Sequence, residues 1–516
     1  MDSVQPVTIP ESIFHDLINQ RSQYLLGLVR YVSECSPKEQ ILVRPLLGEL
    51  WSHAMQVEEL LDAFDARNNC QWCAFRSLMA KLKTFSDVSY ELLHIKHAVP
   101  AYRLLSIEDN FMQATHDTLA FTAGVLQNTA DHMLLMAKHL ALTIPVARSR
   151  DYTYTEQLPP GRLPRNCQSN KKETVSEMVA LLATAFLNLA ASSKDVRTAG
   201  GASSEDYLSF LKDTVREESL RSLELRFHNL QSQYDTYVSG TQAEKQDDEL
   251  LVLRGHISVV FRLLKSGTLF AHYYERHGSR NNCVLATLQE PLVPKELLIQ
   301  ALMKYCISFV NQYITCAEHL CRNMLKRYSK VGSIILPIPK YRGFHVRPST
   351  LVSKLVLHYG CEVQMTLGDE TYDAQMPLEL FRANEKINAE KRRWLASEIV
   401  RLKLVPDSLD SESFERVARS TVLALAEQGK LILYQQPLQF PEEPAAKSGS
   451  LLNKVISEVT RLLVLGKIDV ESDIKVTFRG DTRVLADMKL LAEEGYGEDK
   501  FGNNIPLPES LKYLRR

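Results

Sequence analysis

The sequence predicts two kinds of structure in one chain: a mostly α-helical bundle up to about residue 330, then an α+β domain carrying a helical insertion. Three observations carry this division. Up to Lys330 apolar residues recur at helical spacing, and no strand pattern precedes Ser333. From Ser333 onward, short stretches rich in β-branched residues alternate with helical ones. At the junction stands Gly343-Phe344-His345-Val346-Arg347-Pro348, with a strand pattern before it and a helix pattern after it.

A chain of 516 residues exceeds one ordinary core and implies two or three domains. It is 45% hydrophobic and 24% charged, the profile of a folded soluble protein. Lysine plus arginine (61) nearly cancels aspartate plus glutamate (62), so nothing draws the chain toward nucleic acid or an anionic membrane. Met1–Pro6 lacks the basic and apolar regions of a secretory signal. Met178–Ser192 is too short to span a bilayer, and Leu250–Tyr274 carries Arg254, His256, Arg262 and Lys265, so membrane insertion is not expected. Nine cysteines without regular spacing imply reduced thiols and a cytoplasmic location.

Residues 10–34 place Ile13, Leu17, Leu25, Leu28 and Val29 on one stripe. Ser36-Pro37-Lys38-Glu39 reads as a capping box opening the next helix, which runs to about Ala66. Further helices are expected over 72–96, 107–142, 173–193, 205–239, 246–276 and 294–329. Residues 146–172, with Pro159-Pro160-Gly161 and Pro164, read as a tether, and 192–204 as a shorter break around Gly200-Gly201. The bundle therefore occupies 1–145 and continues over 173–330. No repeat of fixed period is present.

In the second part Ser333–Leu336 reads as a strand. Pro348 opens a helix through Leu351, Val352, Leu355, Val356 and Tyr359, closed by Gly360. Cys361–Leu367 and Glu370–Ala374 read as strands joined at Gly368-Asp369, and 377–400 as one long helix. A helix over 411–428, an apolar Lys430–Tyr434, a linker over 437–450 and an amphipathic helix over 451–465 follow. Asp473–Gly480 has strand alternation, and 481–494 is the last helix.

This layout puts His345 beside the positive end of a helix, where free backbone N–H groups favour an anion. Arg347 adds a planar fork matched to phosphate oxygens. Taken alone, His345 is as readily an ordinary polar loop residue. Other constellations are weaker. Cys70-Gln71-Trp72-Cys73 has no second pair, Cys316 and His319 share one helix face, and no Walker loop, dinucleotide fingerprint or kinase signature is present.

Gly343-Phe344-His345-Val346-Arg347-Pro348 closely resembles the Gly-Leu-His-Ala-Arg-Pro signature of HPr, the histidine phosphocarrier of the bacterial phosphotransferase system. The likeness extends from Ser333 to about Phe381. It implies a β-α-β-β-α-β-α open-faced sandwich over 331–516, interrupted by an insertion at about 403–470. Asp473–Gly480 is then preferred as the fourth strand over Lys430–Tyr434.

The resemblance further implies that His345 accepts a phosphoryl group from an enzyme I-like donor. His345 would then pass it to an enzyme II A-like acceptor or a regulator, without metal, nucleotide or redox cofactor. Arg347 would stabilise the phosphate, with Gly343, Pro348, Ser349 and Thr350 around it. Phe344 and Met376 would belong to a partner-docking patch. Two departures stand out. Met376 occupies the place of the family's regulatory serine, and Ser349-Thr350 replaces a small Ala-Ala pair. A competing expectation is a regulatory scaffold in which the HPr-like module and the bundle serve only protein–protein interaction.

Overall fold

The fold is taken from a computed structural model, which describes residues 8–36, 41–145, 175–277, 292–407, 413–434, 438–441 and 449–515. The chain divides into two units, Met1–Asn323 and Met324–Arg516.

The first unit is helical. Its helices are α1 (Glu11–Glu34), α2 (Arg44–Ala63), α3 (Cys73–Ala98), α4 (Phe111–His139), α5 (Val175–Ser192) and α6 (Lys194–Gly200). They continue with α7 (Tyr207–Asp213), α8 (Glu217–Tyr237), α9 (Gln242–Gln246), α10 (Asp248–Arg276), α11 (Lys295–Gln300) and α12 (Ser308–Tyr328). A π-helical segment, Ala301–Ile307, joins the last two. Helices α1 to α4 pack each on the next, α1 also meets α4, and α10 packs on α3 and α8. Between α3 and α10 the buried Glu91 is held by Arg262 and Lys265, each at 2.6 Å, because a buried carboxylate needs its charge matched.

Three local expectations need correction. Helix α2 starts at Arg44 with a proline in its first turn rather than at the Ser36 capping box, most of which lies outside the described residues. The expected helix over 205–239 is broken between Asp213 and Glu217. The break around Gly200 is instead helix α6, whose Val196 and Ala199 are buried. The 146–172 tether lies outside the described residues, as does most of the 437–450 linker.

The second unit begins with β1 (Val331–Pro337), α13 (Val346–Tyr359), β2 (Val363–Leu367), β3 (Glu370–Asp373) and α14 (Pro377–Arg401). After α15 (Phe414–Glu427), β4 (Leu431–Leu433), α16 (Leu451–Val464) and β5 (Ile468–Val470), it closes with β6 (Lys475–Asp481) and α17 (Thr482–Glu493). Strands β1-β6-β2-β3, in that order, form an antiparallel sheet, with Phe478 of β6 opposite both Ile334 and Met365. Met365, Tyr372, Val476 and Phe478 enter one core with Val352, Leu355 and Val356 of α13, Leu380 and Ile387 of α14, and Met488 of α17. Their alternates Ser333, Ile335, Gln364 and Arg479 are exposed. That is the period-2 pattern of a sheet with one face covered.

The later candidate, Asp473–Gly480, is therefore the strand that completes this sheet. Lys430–Tyr434 contributes β4, which pairs with β5 in a separate two-stranded sheet. The insertion is consequently not purely helical. It has its own core of Val417, Val422, Leu425, Val459, Leu462 and Ile468, joined by Leu395 and Ile399 from the second half of α14.

Candidate functional site

His345 is placed by the turn that precedes it. Arg342 (φ 54°) and Gly343 (φ 62°) are consecutive left-handed residues. Glycine takes this conformation freely, whereas a residue with a Cβ loses roughly 1 kcal/mol or more. At position 343 a Cβ would also collide with Asn384 Oδ1. The reversal delivers His345 as the N-cap of α13, its carbonyl accepting from Ser349 N–H at 3.1 Å. The helix thus begins at Val346, two residues before the expected Pro348. The N–H groups of Val346 and Arg347 have no acceptor within the helix. Phe344 pins the turn from inside: it is fully buried against Phe478 and Tyr496. That corrects its expected place in a docking patch, while Met376, the N-cap of α14, is half exposed.

The imidazole of His345 is about a quarter exposed, with Nε2 3.3 Å from Oε1 of Glu498. Its Nδ1 lies 3.1 Å from the Gly343 carbonyl oxygen. Arg347 Nη1 lies 2.6 Å from the same Glu498 oxygen and donates to the Gly502 carbonyl at 3.3 Å. Tyr341 meets the histidine ring edge-on. Glu498 is almost completely buried, and its Oε2 has no hydrogen-bond partner. Burial raises its carboxyl above the ordinary glutamate value, the neighbouring His345 and Arg347 only partly offsetting that. Each ring nitrogen of His345 thus faces an oxygen atom, and the tautomer sets which of the two nitrogens donates.

The site therefore joins His345 and Arg347 with a third group that the sequence reading missed. Glu498 follows the Gly495–Gly497 turn beyond α17 and is paired with Asn504. Asp499 braces the loop by accepting from the N–H groups of Phe501 and Asn503. The available signal was a glycine-rich acidic turn, Gly495-Tyr496-Gly497-Glu498-Asp499, lying past the last element of the resemblance. Pro348 is buried in the first turn of α13. Ser349 and Thr350 do not face the histidine as expected phosphate ligands. Ser349 is buried and donates to the Phe344 carbonyl, and Thr350 donates to the Val346 carbonyl.

Elsewhere, Cys70 is a free thiol, and the Cys73 sulfur lies 3.6 Å from the Cys70 carbonyl oxygen, so the two are not bonded to each other as a redox pair. Among the described residues no group of His, Cys, Asp and Glu could hold a metal ion. Among them, too, no single helix is long and apolar enough to cross a membrane. A cleft of about 420 Å³ beside the π-helical segment is lined by Asp109, Gln113, Asp117, Lys304 and Tyr305, among others. No protein-family model matches the chain, and neither a curated protein nor a solved structure matches it.

Proposed function

We propose that residues 331–516 form an HPr-like phosphocarrier domain. In this reading His345 accepts a phosphoryl group from an enzyme I-like donor protein and hands it to an enzyme II A-like acceptor or a regulator. One observation carries it: His345 caps α13 while Arg347, two residues on, grips an anion at the same corner. That anion is the Glu498 carboxylate, which stands where phosphoryl oxygens would lie. The element order β1-α13-β2-β3-α14, then β6-α17, is also the order that the resemblance implies.

In the transfer, a deprotonated ring nitrogen forms the new P–N bond as the bond to the donor breaks, its electron pair staying with the donor. Arg347 and the leading N–H groups of α13 offset the charge on the phosphoryl oxygens. Glu498 must be protonated or turned aside for the group to enter. The same carboxylate favours a second reading, a regulatory scaffold whose site is permanently closed by its own chain.

Incubation of the full chain with enzyme I and labelled phosphoenolpyruvate separates the two. The expected result is an acid-labile, alkali-stable phosphate on the wild type and none on His345→Ala. Absence of label, or label retained by His345→Ala, overturns the phosphocarrier reading.

A further inference from the structure

We infer that Asp469, on strand β5 of the insertion, is a positioning residue for His345, holding Arg342 in the left-handed turn that aims the imidazole. Its functional consequence rests on the phosphocarrier reading; its geometry does not. Asp469 Oδ2 accepts the Arg342 backbone N–H at 3.0 Å. Oδ1 accepts from Lys391 Nζ and from the Val470 N–H, both at 2.7 Å. On the other side of the same residue, Asn384 Nδ2 donates to the Arg342 carbonyl at 3.1 Å. Both backbone polar groups of Arg342 are thus gripped, one from β5 and one from α14.

Three further observations separate this clamp from ordinary packing. Lys391 and Asp469 are both almost completely buried, and such pairs contribute little net stability because desolvation cancels their attraction. Their location at the turn therefore asks for another use. The Arg342 side chain is exposed and lies across Gly466, so the turn uses this residue for its backbone alone. Finally, Tyr434 of the insertion packs edge-on against Tyr341, which in turn packs against the His345 ring. The insertion reaches the histidine by two routes, one through backbone and one through aromatic contact.

The test compares two variants of equal charge in the full chain. Lys391→Met/Asp469→Leu removes the acceptor for the Arg342 N–H, whereas Lys391→Met/Asp469→Asn keeps an acceptor oxygen. Each is labelled with ¹⁵N-histidine, and the His345 ring resonances are identified by their loss in His345→Gln. Phosphoramidate, which transfers its phosphoryl group to an imidazole and releases ammonia, supplies a rate needing no partner protein.

The Lys391→Met/Asp469→Leu variant is expected to shift the His345 resonances and slow labelling roughly tenfold. The Lys391→Met/Asp469→Asn variant should stay near wild type. Adding Arg342→Gly to the former should restore both readouts, because glycine holds the turn unaided. Identical resonances and rates in the two double variants, or no restoration by Arg342→Gly, overturn the inference. Should the Asp469→Leu pair fail to fold, Lys391→Met/Asp469→Ala is read by the same criteria. A wild type that phosphoramidate does not label at His345 counts against the phosphocarrier reading, and the resonances still decide the positioning.

Discussion

The Glu498 carboxylate sits 3.3 Å from His345 Nε2 and 2.6 Å from Arg347 Nη1, with its other oxygen buried and unpartnered. A phosphoryl group on His345 would bring between about −1.5 and −2 charges into that corner, where it meets a buried carboxylate of like sign. Glu498→Gln should therefore speed labelling of His345 by phosphoramidate, by roughly tenfold or about 1.4 kcal/mol. A slower rate would mean that the carboxylate instead helps by orienting the ring. The same residue predicts a pH dependence of stability. Its carboxyl is raised in the folded chain, so the fold binds this proton more tightly than the unfolded chain does. The contribution is complete below the unfolded value of about 4.3 and is lost as pH rises through the folded value. Melting temperatures measured against Glu498→Gln should show the wild type losing ground as pH increases across that window. A constant difference would contradict the assignment.

Among the elements, those with strong local signals were legible in the sequence. The turn–helix at Gly343–Tyr359 follows from a glycine, an early proline and a regular apolar stripe, all within reach of one another. The strand Lys475–Asp481 declared itself by alternation. What failed was context. Gly200 looks like a breaker in sequence, yet it lies in α6 because its missing Cβ lets the helix approach another backbone. A Cβ there would come within 2.9 Å of the Ile307 carbonyl oxygen and 3.1 Å of Asn311 Cβ. Gly200→Ala, ordinarily helix-stabilising, should here destabilise by about 1–3 kcal/mol through overpacking. Denaturant unfolding checks this, and a gain in stability would show that the contact is slack. Strand β5 was missed for a similar reason: Ile468–Val470 is three residues long, and only its pairing with β4 defines it.

For the molecule as a whole, the candidate site was half legible. His345 and Arg347 are neighbours in sequence, but Glu498 and Asp469 reach them only through tertiary structure: the glycine-rich turn around Glu498 does not say what it faces, and Asp469 carries no local pattern. The same long-range wiring bears on cooperativity within Met324–Arg516. Helix α14 contributes Leu380 and Ile387 to the sheet core and Leu395 and Ile399 to the insertion core. The buried Lys391 stands between these two sets and binds Asp469 across to β5. A continuous helix shared by two cores, with an ion pair that must stay matched, couples their unfolding. Leu462→Ala, deep in the insertion core, removes roughly 2–5 kcal/mol of packing. If the cores open together, native-state hydrogen exchange should lose protection by similar amounts at Leu462's neighbours and at the β2 amides Val363–Leu367. Faster exchange confined to α15, α16 and β4 would instead make the insertion an independent unit, and the turn before His345 would then have to hold its shape without it.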